Sequence, residues 1–488
     1  MAPRLHDYRV TCVGEALLIT GTTSDAGKSL VVAGLCRLLA RRGVRVAPFK
    51  GQNMANNSAV TASGAEIGRA QAMQAFAANL APEAVMNPVL LKPNSDTTSQ
   101  VVVMGEPLQD TNARDYGDLI PRLRPIVLDA LNTLRADYDV VICEGAGSPA
   151  EINLRERDLV NFGLAEMADL PVWCVGDIER GGVFASLYGT WAIVSEADRE
   201  RLTGFIINNF RGDPTLLDPG IRALTAQTQV PVFGVIPHLN GLLIDAEDSL
   251  GITNKDGGPP ISQDGLVIAA VRFPRISNFT DLDAIAAMPG VSVVFTTNPA
   301  LIRAADLAVL PGTKATQADL AWLRAQGLAD ALLARAESGD PILGICGGLQ
   351  MLGQWIEDPD AIEGGGTSEG LQLLPIHTTF EPTKLVRQVA GYNDVFNLPG
   401  SGYEIRHGRI HPDNDRPMWR NDHIFGTGWH GFLDDDATRA AFLSEVAAIR
   451  GLDFTPGAYN HDTARLASLD RVADAFEEYL DLSALPFR

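Results

Sequence analysis

The chain has 488 residues, 46% of them apolar, and its 39 Lys plus Arg against 60 Asp plus Glu leave a formal charge of −21. That length points to two or three domains with sizeable cores, and the acidic balance argues against nucleic acid and anionic membrane as partners. No apolar run reaches the ~20 residues of a membrane-spanning helix, and the scattered cysteines at 12, 36, 143, 174 and 346, with no CxxC pair, argue against zinc and against a disulfide framework.

The first residues show no apolar signal core, so a reducing cytoplasm is the expected compartment. Residues 1–15 read as an extension with no assignable role. Ala16–Thr20 is a short apolar strand that enters Gly21, Thr22, Thr23, Ser24, Asp25, Ala26, Gly27, Lys28 and Ser29. A glycine-rich turn between a strand and a helix aims several backbone N–H groups at one point, which suits a phosphate. Lys28 would reach the outer phosphates and the Ser29 hydroxyl would hold Mg²⁺. The loop departs from the common G-x-x-x-x-G-K-[ST] form, because Thr22 stands where the first glycine belongs and Gly21 lies one residue earlier. A plain glycine turn with a surface lysine is the weaker reading, given the strand before it and the helical spacing of Lys28–Arg42 after it.

The strand Arg45–Phe49 leads to Lys50, a second candidate for phosphate contact or else an exposed lysine. Val140–Cys143 ends on Glu144, at the sheet edge where doubly wound folds bind ligands, and Glu144 is a candidate Mg²⁺ ligand. Further apolar runs follow at Val172–Val175, Phe205–Ile207 and Val232–Ile236. Short buried strands separated by helices predict an α/β fold with a parallel, doubly wound sheet. Lys92, Arg180 and Arg211 are candidate partners for substrate carboxylates, or ordinary surface charge.

Residues 245–265 are rich in Gly, Pro and acid and read as a linker. A second αβ pattern runs through Leu266–Val271, Val291–Thr296, Leu307–Leu310 and Pro341–Ile345 to Cys346. Gly344-Ile-Cys346-Gly-Gly348 has the spacing of a nucleophile elbow, in which small neighbours permit a strained turn. A thiol there gains from the helix dipole, and the N–H groups of Gly347 and Gly312 are candidate oxyanion donors. A buried structural cysteine is the weaker alternative. For the base, His430 and His407 both lie beside glycines and spacing leaves the choice open; no third, orienting carboxylate is evident. After about residue 437 the chain reads helical. The expected units are 1–15, 16–244, 245–265, 266–437 and 438–488. A site that spends a nucleotide, joined to one that forms a thioester, points to ATP-driven transfer of glutamine nitrogen.

The segments Gly21–Ser29, Pro48–Met54, Met86–Pro93, Glu144–Pro149, Gly176–Phe184, Gly204–Asp213, Ile276–Asp281 and the elbow together resemble the glutamine-hydrolysing cobyric acid synthases of cobalamin biosynthesis. The resemblance runs from about Leu17 to His430. It implies an N-terminal ATP-dependent synthetase domain similar to dethiobiotin synthetase and a C-terminal class I-like glutamine amidotransferase domain. It also implies Cys346 as nucleophile and His430, rather than His407, as base, with Tyr403 and Glu404 near the site. The implied reaction uses ATP and Mg²⁺ to amidate the b, d, e and g carboxylates of the corrinoid adenosylcobyrinic acid a,c-diamide. Its nearest rival is the related synthase acting on the a and c carboxylates; a switch-type ATPase with an inert second module is disfavoured by the intact elbow. Oligomeric state is not legible.

Overall fold

Parallel strand pairing organises both halves of the chain in the computed structural model, which describes residues 14–245 and 265–487. Nearly all of the expected extension and linker therefore lie outside the described residues. The first half is built on six parallel strands in the order Val232–Pro237, Leu202–Phe210, Val172–Asp177, Glu15–Gly21, Val140–Glu144 and Val46–Phe49. Its strands are apolar on both faces because both are covered. Along Glu15–Gly21, Ala16 and Leu18 pack in one core with Val141 and Cys143, while Leu17 and Ile19 pack in another with helix Lys28–Arg41. This is period-two alternation between two buried layers.

The second half repeats the scheme. Val291–Thr296, Leu266–Val271, Leu307–Leu310, Ile342–Ile345 and Ile424–Thr427 run parallel, with Trp419–Asn421 antiparallel at the edge. A four-stranded sheet is added to it, dominated by the hairpin of His377–Asn393 with Leu398–His411. The residues after 437 divide between the halves. Helix Asp436–Arg450 packs Phe442, Leu443 and Val446 on the second core. Helix His461–Tyr479 returns to the first, where Phe476 and Val472 lie against Gly34 and Arg37 pairs with Asp470 at 2.7 Å.

The halves meet through a small hairpin of the first, Ser58–Val60 with Glu66–Gly68, which docks on Leu398–His411 of the second. Val60, Tyr403 and Ile405 form a buried apolar cluster there. Lys384 crosses to Glu66 at 2.6 Å and Arg275 pairs with Asp96. Among the described residues no helix is long and apolar enough to cross a membrane.

Candidate active site

The phosphate loop lies where the central strand of the first sheet ends. Its entry is tied down by the Thr22 N–H, which donates to the Val175 carbonyl at 2.9 Å. Gly27 turns the chain into the helix at φ 98°, and a Cβ there would overlap the Asn208 amide that donates to the Ala26 carbonyl at 3.1 Å. Lys28 is buried and folds back along the loop, its Nζ donating to the carbonyls of Thr23 (2.8 Å), Ser24 (2.8 Å) and Gly147 (3.1 Å).

Beside it, Ser29, Lys50 and Gln74 converge on Glu144. Ser29 Oγ and Lys50 Nζ each donate to Glu144 Oε1 at 2.9 Å, and Gln74 donates to the other carboxylate oxygen. Lys50 is thus buried and ion-paired rather than exposed. Burial opposes the Glu144 charge, but Lys50, then Gln74 and Ser29, hold its pKa below the usual carboxylate range. A hydroxyl next to a carboxylate suits Mg²⁺ when phosphate oxygens fill the remaining positions. It does not suit a cation bound by protein alone, since no group of three or more His, Cys, Asp or Glu could hold one among the described residues.

Arg180 lies 3.8 Å from Asp25 of the loop, and Arg211 pairs with Glu179 at 3.1 Å, both exposed. Lys92, grouped with them on sequence, is elsewhere. It is buried between Ser58 Oγ (2.7 Å) and Glu66 and faces the second site.

In that second site Cys346 joins strand Ile342–Ile345 to helix Gly347–Leu352 with φ 51° and ψ −105°. A non-glycine residue held at positive φ costs energy and is kept only where packing over-determines it. The packing is visible at Gly348, where any Cβ would run into the Leu310 carbonyl. His430 is buried and its Nδ1 lies 2.7 Å from Asp281 Oδ2, while Asp281 Oδ1 accepts from the Gly431 N–H at 2.8 Å. Burial disfavours the imidazolium, but Asp281 and then Cys346 outweigh it and push the His430 pKa up to about 10. Gly312 stands beside this ring, since a Cβ there would be 3.1 Å from His430 Cε1. Gly347 opens the helix after Cys346 and packs against Thr313.

Asp281 supplies the orienting carboxylate that the sequence did not reveal. It precedes His430 by 149 residues, so no local spacing could point to it. The available signal was its place in the Ile276–Asp281 segment. Glu404 lies next to Tyr403, which pairs with His430 through two backbone hydrogen bonds of 3.0 and 2.9 Å. The Glu404 carboxylate instead binds Arg387 at 2.6 Å and Arg406. His407 lines the same cleft, but its Nδ1 is bound to the Glu381 carbonyl at 3.0 Å, and burial lowers its pKa to about 4. The cleft is not a property of the second half alone: Asn56 and Lys92 of the first half form part of its wall.

Residues 17–249 match the CobQ/CobB/MinD/ParA nucleotide binding domain, and residues 267–439 match the CobB/CobQ-like glutamine amidotransferase domain. Over nearly its whole length the chain is similar to proteins named cobyric acid synthase. That of Rhodococcus jostii (strain RHA1) is 53% identical over 96% of this chain and 94% of the relative. Those of Frankia casuarinae and Mycolicibacterium paratuberculosis are each 50% identical, over 96% of this chain and 95% and 96% of the relatives. Two α/β domains with these two sites, and relatives of this identity end to end, make the chain an enzyme of the cobyric acid synthase family.

Proposed function

We propose that this enzyme uses ATP and glutamine to amidate the b, d, e and g carboxylates of adenosylcobyrinic acid a,c-diamide, giving adenosylcobyric acid. Residues 16–244 carry the synthetase reaction and 266–437 the glutaminase. The observation that carries the reading is the shared cleft: the wall around Cys346 and His430 includes Asn56 and Lys92 from the nucleotide-binding half. A glutaminase open toward its partner domain is what nitrogen transfer requires.

In the glutaminase, Cys346 Sγ attacks the side-chain amide carbon of glutamine. With Asp281 held on Nδ1, the His430 imidazolium presents its Nε2 proton to the departing nitrogen. Ammonia leaves, a thioester forms on Cys346, and water cleaves it to glutamate. The N–H groups of Gly347 and Gly312 are assigned to the developing oxyanion. In the synthetase, nucleotide with Mg²⁺ supplies the phosphoryl group that activates a carboxylate. The backbone of Gly21–Gly27 would cradle the phosphates, and Lys28, turned from the loop carbonyls it binds here, would reach the outer ones. Ser29 and Glu144 would hold the cation, and Lys50 would add positive charge where negative charge develops.

Mass spectrometry of adenosylcobyrinic acid a,c-diamide incubated with enzyme, ATP, Mg²⁺ and glutamine tests this. A ladder ending at four amidations is expected. Amidation of cobyrinic acid instead would move the assignment to the a,c-diamide synthase, and ATP hydrolysis with neither corrinoid modified would remove both.

A further inference from the structure

The cleft around Cys346 is lined by four Lys and Arg side chains, Lys92, Lys314, Lys384 and Arg406. Three are already matched. Lys92 and Lys384 share Glu66, and Arg406 is held by Glu404 and by Asn414 at 3.0 Å. Lys314 is the exception: among the described residues its ammonium makes no hydrogen bond and has no carboxylate within 4.0 Å. Its backbone is nonetheless fixed, the N–H donating to the Arg275 carbonyl at 2.9 Å. It directly follows Thr313, the residue packed on Gly347 at the elbow. An unmatched cation is thereby held one residue from the loop that touches the nucleophile's turn.

Glu363 lines the same cleft and is half used. Its Oε2 accepts from the N–H of Thr316 at 2.6 Å and of Gln317 at 3.4 Å, capping helix Thr316–Ala325 two residues beyond Lys314. Its Oε1 takes no hydrogen bond among the described residues. Asn56 Oδ1, buried in the opposite wall, is likewise without a partner there and offers a second acceptor.

A buried charge without its counter-ion is costly, so a cleft built this way is completed by a ligand carrying both signs. We propose that Lys314 binds the α-carboxylate of the amino-acid substrate and that the free oxygen of Glu363 binds its α-ammonium, so that the pair selects a free α-amino acid. The assignment rests on the glutaminase reading above and names the residues that recognise glutamine's backbone end. The titration behaviour agrees with it. Burial pulls Lys314 down to about 8 and pushes Glu363 up to about 7, and their mutual attraction does not restore either. A zwitterion seated between them would return both to their charged forms.

The test is steady-state glutamate or acid release from three amides: glutamine, 4-aminobutanamide, which lacks the carboxylate, and glutaramate, which lacks the ammonium. The wild-type enzyme is expected to prefer glutamine over each analogue by roughly 10²-fold in kcat/KM, since a site built for a polar group rejects the analogue without it. Lys314→Met should raise KM for glutamine about 10-fold or more and lose the preference over 4-aminobutanamide while keeping that over glutaramate. Glu363→Gln, whose amide oxygen can still cap the helix, should do the reverse. A damaged fold would erase both preferences together, so the crossed pattern supports the assignment and loss of both or neither by each variant overturns it. If the wild-type enzyme released no acid from glutamine, the glutaminase reading itself would fall first.

Discussion

At the scale of the residue, the proposed glutaminase chemistry turns on how His430 is held. Its raised pKa means that the imidazolium persists to about pH 10 beside Cys346, because Asp281 and the sulfur both favour the charged ring against burial. Asp281→Asn keeps the shape but removes that charge, so the ring should deprotonate at lower pH. Glutamine-dependent turnover is expected to fall roughly 10²-fold or more, and the alkaline limb of its pH profile to move to lower pH. An unshifted limb would mean that Asp281 only shapes the loop. Cys346→Ala should lose glutamine-dependent amidation and keep the ammonia-dependent reaction, whereas Lys28→Ala should lose both; equal glutamine use by Cys346→Ala would remove the nucleophile assignment. Glutamine-dependent and ammonium-dependent product formation, measured side by side, decides it.

Among the elements, the one joining the two chemistries is the short hairpin Ser58–Val60 and Glu66–Gly68. Ser58 reaches both supports of the glutaminase: its N–H donates to Asn278 Oδ1 at 2.9 Å, and its carbonyl accepts from the Tyr403 hydroxyl at 3.0 Å. Asn278 lies three residues before Asp281, and Tyr403 is paired with His430. On the hairpin's second strand, Glu66 is buried between Lys384 and Lys92, which hold its carboxylate well below the usual range although burial opposes the charge. A depressed acid of this kind contributes stability above its ordinary pKa and loses it as pH falls. Glu66→Gln leaves two cations facing each other and should cost about 3–5 kcal/mol at pH 6. Burial has already pulled Lys92 down to about 7, so at pH 9 it can be neutral and the penalty should shrink. Thermal melting of both proteins at the two pH values measures this, and a gap no smaller at pH 9 would count against it.

Across the whole molecule, the C-terminal helix closes the nucleotide half. Phe476 is fully buried against Gly34 in the core beneath helix Lys28–Arg41, although 442 positions separate the two residues. Phe476→Ala should therefore destabilise that half by about 3–5 kcal/mol and lower its melting temperature, with the glutaminase half less affected. Differential scanning calorimetry resolves the two; a single unshifted transition would contradict the packing.

The sequence by itself determined most of the parallel strands, the glycine loop and the elbow turn, because these are local. A buried parallel strand is a short apolar run, and Val291–Thr296 and Leu307–Leu310 fall where the runs do. The loop and the elbow are glycine spacings that backbone geometry demands within a few residues. Tertiary structure alone decided which distant groups meet. Asp281 reaches His430, Lys50 and Ser29 reach Glu144, Lys92 leaves the nucleotide side for the glutaminase cleft, and the helical tail splits between two cores. None of these has a spacing rule, since each is set by where whole elements pack. All but the last of these meetings give a buried polar or charged group its partner, and such a partner becomes visible only when the chain is folded.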